Sequence, residues 1–336
     1  MTHRLHRLTI CLLFCGLLTT VQWMGCLPAG AADRPGTNPR ADVWRDVRQG
    51  EAGVTTTSDP AHRVLIQSEG QLWRRIRNGP LAAISPWLLA GVLAAIALFF
   101  VIVGRDRLEE PRSGVRLHRF SLAERILHWT TATFFVLLAL TGLGMLFGRA
   151  VLIPIFGHAS FSGLMQVGMF IHNISGPLFL AGVLVEVVVW VGDNIPKPMD
   201  VAWFKNLGGM VGDGPRPHAE KVNGGEKAWF WLMVLAGLVV GATGVILDFP
   251  IWGQSRQTMQ LAHGIHATVA ILFVAASFGH IYIGTIGVEG TFEAMWRGAV
   301  DAVWAKQHAD LWYREKMGRR NGVDSGSPPS STITST

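Results

Sequence analysis

His266 and His280 stand fourteen residues apart inside a run, 258–288, that contains no Asp, Glu, Lys or Arg. On an α-helix fourteen steps of about 100° leave the second side chain roughly 40° from the first, and a rise of about 1.5 Å per residue separates them by roughly 21 Å. One apolar helix therefore offers two imidazoles on one face, one toward each membrane surface. His128 and His172 lie in two further apolar runs at matching depths, His128 level with His280 and His172 level with His266. Depth alone pairs them. Neutral imidazole is a good ligand for haem iron, and two of them leave no open coordination position. The four histidines thus predict two b-type haems that carry electrons, with His128 and His280 on the inner iron and His172 and His266 on the outer.

A single membrane histidine has a simpler use, since it can hydrogen-bond a neighbouring helix. The recurrence at two depths favours ligation. His263 competes for the outer site because it is one turn from His266, but seventeen residues from His280 leave those two about 100° apart, which makes His263 a packing residue. His118, His158, His218 and His308 fall in loops or the tail and His62 in a polar N-terminal segment; all five read as solvated surface. Glu186, the only acid within a span, is expected to pair with an arginine at the membrane surface rather than to line a proton path. Gly142, Gly144, Gly176 and Gly182 give close approach to a helix backbone, for a flat macrocycle or for another helix.

The elements that must position these residues follow from composition. Of 336 residues 49% are hydrophobic and 15% charged, and the uncharged runs are long enough to cross a bilayer. Five spans are predicted, at about 86–104, 126–148, 166–192, 228–247 and 258–286, giving an all-α membrane protein. The net charge of +6 does not indicate nucleic acid, because the basic residues gather in loops beside the apolar runs. Arg105, Arg107, Arg112, Arg116, Arg119 and Arg125 follow the first span, and Lys197, Lys205, Arg216, Lys221 and Lys227 follow the third, whereas the opposite loops hold Arg149 and Arg256 alone. That asymmetry puts the basic loops and the C-terminus in the cytoplasm and the mature N-terminus outside.

Residues 1–32 read as a signal peptide, with Arg4 and Arg7, an apolar stretch at 8–18 and small residues at 29–32; a retained anchor is the alternative. Cys11, Cys15 and Cys26 all lie within it, so cleavage leaves a mature chain without disulfides, iron–sulfur ligation or covalently attached haem. Residues 33–85 are expected to form an exported segment. Phe292, Met295, Trp296, Ala299, Val300 and Val303 recur at helical spacing, which predicts a helix over 291–317 along the cytoplasmic membrane surface, or packed on a partner. The Ser-, Thr-, Gly- and Pro-containing tail 318–336 is expected to be disordered.

From about residue 116 to 316 several ordered motifs carry a resemblance. They are Arg125-Ile-Leu-His128-Trp129, the His172 helix, Asn194-Ile-Pro196 with Asp200 and Trp203, Asn223-Gly-Gly-Glu-Lys227 with Phe230 and Trp231, the His266 to His280 helix with Tyr282, and Trp312-Tyr-Arg-Glu315. Here the chain resembles the gamma subunit of membrane-bound formate dehydrogenase, a cytochrome b of the bacterial inner membrane. The resemblance implies a four-helix haem-binding bundle, here with one additional N-terminal transmembrane helix, and the same two histidine pairs. It also implies a quinone near the inner pair, contacted by Asn223, Glu226 and the region of His280, and iron–sulfur and catalytic partner subunits outside. The added span, with Val47-Arg-Gln-Gly50 and Leu65-Ile-Gln-Ser-Glu69, looks like a longer bacterial form. Gly224 and Glu226 depart from the family's Ala and Gln; a carboxylate there can relay protons. No molybdenum-cofactor or iron–sulfur motif is visible, so formate chemistry falls to other subunits and this chain reads as an electron-transfer subunit. A hydrogenase or related quinone-linked cytochrome b is the near alternative, and a haem-free anchor or transporter the distant one.

Overall fold

A computed structural model describes residues 45, 49, 73–211 and 215–324, without the side chains of 319–324. The signal segment 1–32, His62, 65–69 and all of 47–50 except Gln49 lie outside the described residues. The chain divides into two units, Met1–Ile66 and Gln67–Thr336, and everything below concerns the second.

Among the described residues four helices are long and apolar enough to cross a membrane. Helix α1 (Trp73–Val103) begins well before the expected start near Pro86. Its Pro80 has no N–H to donate, and the ladder absorbs the gap in a π-helical turn, Arg77–Leu81. Helix α2 (Leu122–Trp190) is 69 residues long, and a straight helix of that length would reach roughly 100 Å, three times the bilayer core. It folds back instead. Gly157 sits at φ 74°, ψ 170°, outside the helical region and open only to glycine at low cost. Beyond it the contacts run in reverse: Gly148 meets Phe161, Gly144 meets Met165, Thr141 meets His172 and Gly182 meets Thr131. As one partner's number falls the other's rises by nearly the same amount, which is an antiparallel hairpin of two spans. Ser121 starts α2 with a capping box, its hydroxyl accepting from Glu124 N–H while the Glu124 carboxylate accepts from Ser121 N–H.

A short helix α3 (Pro198–Lys205) leads to α4 (Gly224–Asp248) and α5 (Arg256–Tyr282), the last running on through a π turn to Gly287. Trp73 packs on His263 and Phe99 on Tyr282, so α1 lies parallel to α5. Phe179, Val183, Phe230, Met233, Val234 and Phe273 fill the bundle between α2, α4 and α5. Leu140, Val188 and Leu235 point outward, as lipid-facing positions do.

The residues after the bundle differ from the single helix expected over 291–317. They form α6 (Thr291–Arg297), a strand β2 (Ala299–Asp301), α7 (Ala302–His308) and α8 (Asp310–Asp324). Gly298, at φ 79°, ends α6 where a Cβ would lie 2.6 Å from the Phe120 carbonyl oxygen. β2 then pairs antiparallel with β1 (Arg116–His118), so the helical period of apolar residues is shared by two helices and a strand. Val300, Trp304, Ala305 and Trp312 are buried with Leu117 and Phe120 in a core of their own. α8 continues through Asp324, so 318–324 are helical where disorder is expected.

Candidate functional site

The bundle brings the four predicted histidines together in two pairs. His128 of α2 faces His280 of α5, and His172 of α2 faces His266 of α5. Each pair has ring centroids 6.2 Å apart and ring planes 66° apart. A metal–imidazole bond of about 2 Å, plus about 1 Å from nitrogen to ring centre, puts two imidazoles across one metal about 6 Å apart. Both pairs fit a shared iron by that measure. Among the described residues no cluster of three or more His, Cys, Asp or Glu offers another metal site.

The outer pair is held by hydrogen bonds. Thr141 donates its hydroxyl to Leu137 O at 2.7 Å, so toward His172 Nδ1, 2.8 Å away, the same oxygen accepts. His266 Nδ1 donates to Val240 O at 3.0 Å and stands 3.1 Å from Thr243 Oγ1, whose hydroxyl is spent on Val239 O. Each Nδ1 therefore carries the proton, and each Nε2 keeps a free lone pair for a metal. The glycine after each threonine faces the ring: a Cβ at Gly142 would meet His172 Cε1 at 3.5 Å, and one at Gly244 would meet His266 Cε1 at 3.4 Å. Gly144 and Gly182 serve helix contact instead, with Met165 and Thr131, and Gly176 meets nothing within 4 Å.

Aromatic rings hold the inner pair. Trp229 stacks on His280 at 4.3 Å and 7°, and Trp129 meets the edge of His128 at 5.3 Å while donating its indole N–H to Met295 O. Asn223 and Glu226, expected at a quinone, form the capping box of α4: Asn223 Oδ1 accepts from Glu226 N–H and the carboxylate accepts from Asn223 N–H. Glu226 also accepts from Nη2 of the buried Arg119 guanidinium at 2.8 and 2.9 Å, while Lys221 O accepts from Nε and Nη2. This explains the carboxylate in place of an amide, since Gln would leave a buried charge unpaired. Nearby, Lys227 and Asp200 make a buried ion pair at 2.9 Å, and Trp203 lies so close to Gly225 that a Cβ there would come within 2.5 Å.

His263 bonds Met259 O and packs at a tilt against Trp73, a packing residue as expected. His118, His158 and His218 are exposed. Two expectations need correction. Glu186 is buried beside Thr131 and has no arginine or lysine partner among the described residues, because it lies within the bundle and not at its rim. His308 is also largely buried, since α7 packs into the core around β1 and β2 where a loose tail is expected. Thr141, Thr243, Gly244 and Trp229 are site residues that sequence reasoning misses. The dipeptide Thr-Gly, at 141–142 and again at 243–244, is the signal that was available for the first three.

Residues 119–298, more than half of the chain and holding both pairs, match the prokaryotic cytochrome b561 family. The chain belongs to that family. Membership implies haem b and a role in electron transfer, in agreement with the paired imidazoles. Among its relatives is the cytochrome b556(fdo) subunit of formate dehydrogenase from Escherichia coli K12, 30% identical over 205 residues that cover 59% of this chain and 92% of that protein. The cytochrome b556(Fdn) subunit of the nitrate-inducible formate dehydrogenase of the same organism is 29% identical, covering 59% and 90%. The formate dehydrogenase cytochrome b556 subunit of Haemophilus influenzae is 28% identical, covering 62% and 87%.

Proposed function

We propose that this chain is the di-haem cytochrome b subunit of a membrane-bound formate dehydrogenase, holding the catalytic and iron–sulfur subunits at the outer face and conducting their electrons to a membrane quinone at the inner level. The observation that carries the reading is the presence of two imidazole pairs with one ring separation at two depths of one bundle. A b-type haem held by two imidazoles would supply one-electron chemistry and would not bind oxygen or substrate. His172 and His266 would hold the outer group and His128 and His280 the inner.

The chain's own residues do the rest. Thr141, Thr243 and Val240 O fix the outer rings in the tautomer that leaves Nε2 free, and Trp229 sets the plane of His280. Arg119 and Glu226 lock the start of α4 beside the inner pair, with Asn223 as its cap, and a quinone headgroup is proposed to bind against this corner and the region of His280. The basic loops support placement in the bacterial inner membrane, with the mature N-terminus periplasmic and the C-terminus cytoplasmic. The relatives' names favour formate over hydrogen as the electron source.

The test is a reduced-minus-oxidised spectrum with haem quantification on the isolated protein, where two haems per chain are expected. His266→Ala and His280→Ala should each remove one, the outer and the inner respectively. Formate added to the intact complex should reduce both, and quinone should reoxidise them. A protein without b-type bands, or one that loses both haems with either change, would refute the assignment.

A further inference from the structure

His308 closes α7 with its side chain only 10% exposed, and its Nε2 is buried without a hydrogen-bond partner. Buried polar atoms nearly always find partners, and the ring that carries this one lies between an ion pair and an indole. On one side His308 Nδ1 is 4.0 Å from Asp106 Oδ2, and Asp106 is gripped by Arg216 at 2.7 and 3.0 Å. On the other side the ring packs on Trp304 at 5.1 Å, and Trp304 lies 4.8 Å beneath the Arg119 guanidinium, the partner of Glu226. Burial pulls the imidazole down to about 4; Asp106 and Glu226 pull it up, and Arg216 and Arg119 oppose them. At neutral pH the ring is uncharged and can take a proton in passing.

Both ends of this arrangement lead somewhere. A cavity of about 560 Å³ is lined by Glu109, Arg216 and Gln307, so its wall includes the residue preceding His308 and the guanidinium that holds Asp106. In the other direction Trp304 lies under Arg119, whose Nη2 donates to both oxygens of Glu226 at 2.8 and 2.9 Å at the start of α4, the helix whose Trp229 stacks on His280.

We propose that His308 is a proton relay, joining the cavity walled by Arg216, the partner of Asp106, to the Glu226 corner of the inner histidine pair. This rests on the quinone-reducing reading above. Each quinone takes two electrons from the donor subunits and two protons to become quinol. For each proton, His308 gains one on Nδ1 from water on the Asp106 side, carries it while the ring rotates, loses it from the same Nδ1 toward Glu226 and rotates back, with the proton on Nε2 in place throughout. Asp106 and Glu226 end each passage with their charges unchanged.

The test uses the intact complex and separates haem reduction by formate from quinol formation, followed from pH 6 to 8.5. His308→Phe keeps an aromatic ring on Trp304 and removes both nitrogens. Haem content and the rate of haem reduction should stay at wild-type values, while quinol formation falls about tenfold or more, most steeply at high pH where protons are scarce. His308→Ala should regain rate when imidazole is added, which a merely structural residue would not do. Quinol formation at the wild-type rate across that range, with haem reduction intact, overturns the relay. If the Phe variant loses haem, His308→Gln decides: wild-type rates in that variant likewise overturn it. A wild-type complex that reduces its haem but never an added quinone sinks the quinone reading, and the relay with it.

Discussion

The outer and inner histidine pairs have the same ring separation and the same angle between planes, but the bundle achieves them by different means. At the outer level the restraint is polar, with threonine hydroxyls and a helix carbonyl at Nδ1 and glycines against the rings. At the inner level neither ring has a hydrogen-bond partner among the described residues; indole stacking sets the geometry, and a folded layer with buried ion pairs closes the site beneath. A hydrogen bond to Nδ1 fixes a tautomer and tunes the basicity of the ligand. Stacking fixes a plane and keeps water out. The two levels are thereby suited to different work: the titratable neighbour of the outer pair is the packing residue His263, and that of the inner pair is the carboxylate Glu226.

The comparison can be broken at several points. Removing a ligand has the largest effect, complete loss of one haem at one level. Thr141→Val comes next. His172 Nδ1 has no acceptor besides that hydroxyl, so the change buries an unsatisfied N–H, and outer haem retention should weaken by about 10–100-fold with the inner haem unaffected. Thr243→Val should do less, because Val240 O still accepts from His266. Haem titration of each variant, resolving the two spectral components, reads both. At the inner level Trp229→Leu removes a stack of about 0.5–1.5 kcal/mol, so up to about tenfold weaker retention of the inner haem is expected. Equal losses at both levels in either threonine variant would show that the supports are not local.

The spans and the pairing were legible because they depend on period and depth. A 3.6-residue repeat and an uncharged run suffice to put His266 and His280 on one face. What supports the rings was not legible. Thr141 and Thr243 read as ordinary polar residues in apolar runs until the facing helix is known, because their partners are 31 and 23 residues away. The folded layer after the bundle was missed for a related reason. Periodicity at 292–303 suggests one helix, but Gly298 turns to a left-handed φ of 79° that ends it, and strand pairing with residues far earlier in the chain takes over. Non-local contact also buries His308, which in sequence looks like a solvated tail residue, and leaves Glu186 without the arginine that a position near the rim would supply.

The smallest expected effect concerns that layer, which has no counterpart at the outer level among the described residues. Asp301 joins its parts: the carboxylate accepts from Ser113 N–H and Oγ–H, Gly114 N–H and Val303 N–H, tying the loop before β1 to the start of α7. Burial alone would push this carboxyl up, but those donors outweigh it and hold the carboxyl below the usual aspartate range. A folded-state value below the unfolded one means the stabilisation is fully present above the unfolded value, near 4, and is lost as pH falls through the lower folded value. Asp310, bonded to Ala219 N–H and His218, is lowered in the same direction. Acidification from pH 6 toward 3 should therefore loosen the layer first, seen as faster proteolysis after Gly114 and a change in the inner haem's spectrum before the outer's. Asp301→Asn should lower protection at pH 6 and flatten its dependence on acid, whereas a variant with the wild-type acid profile would mean that this carboxylate does not hold the layer together.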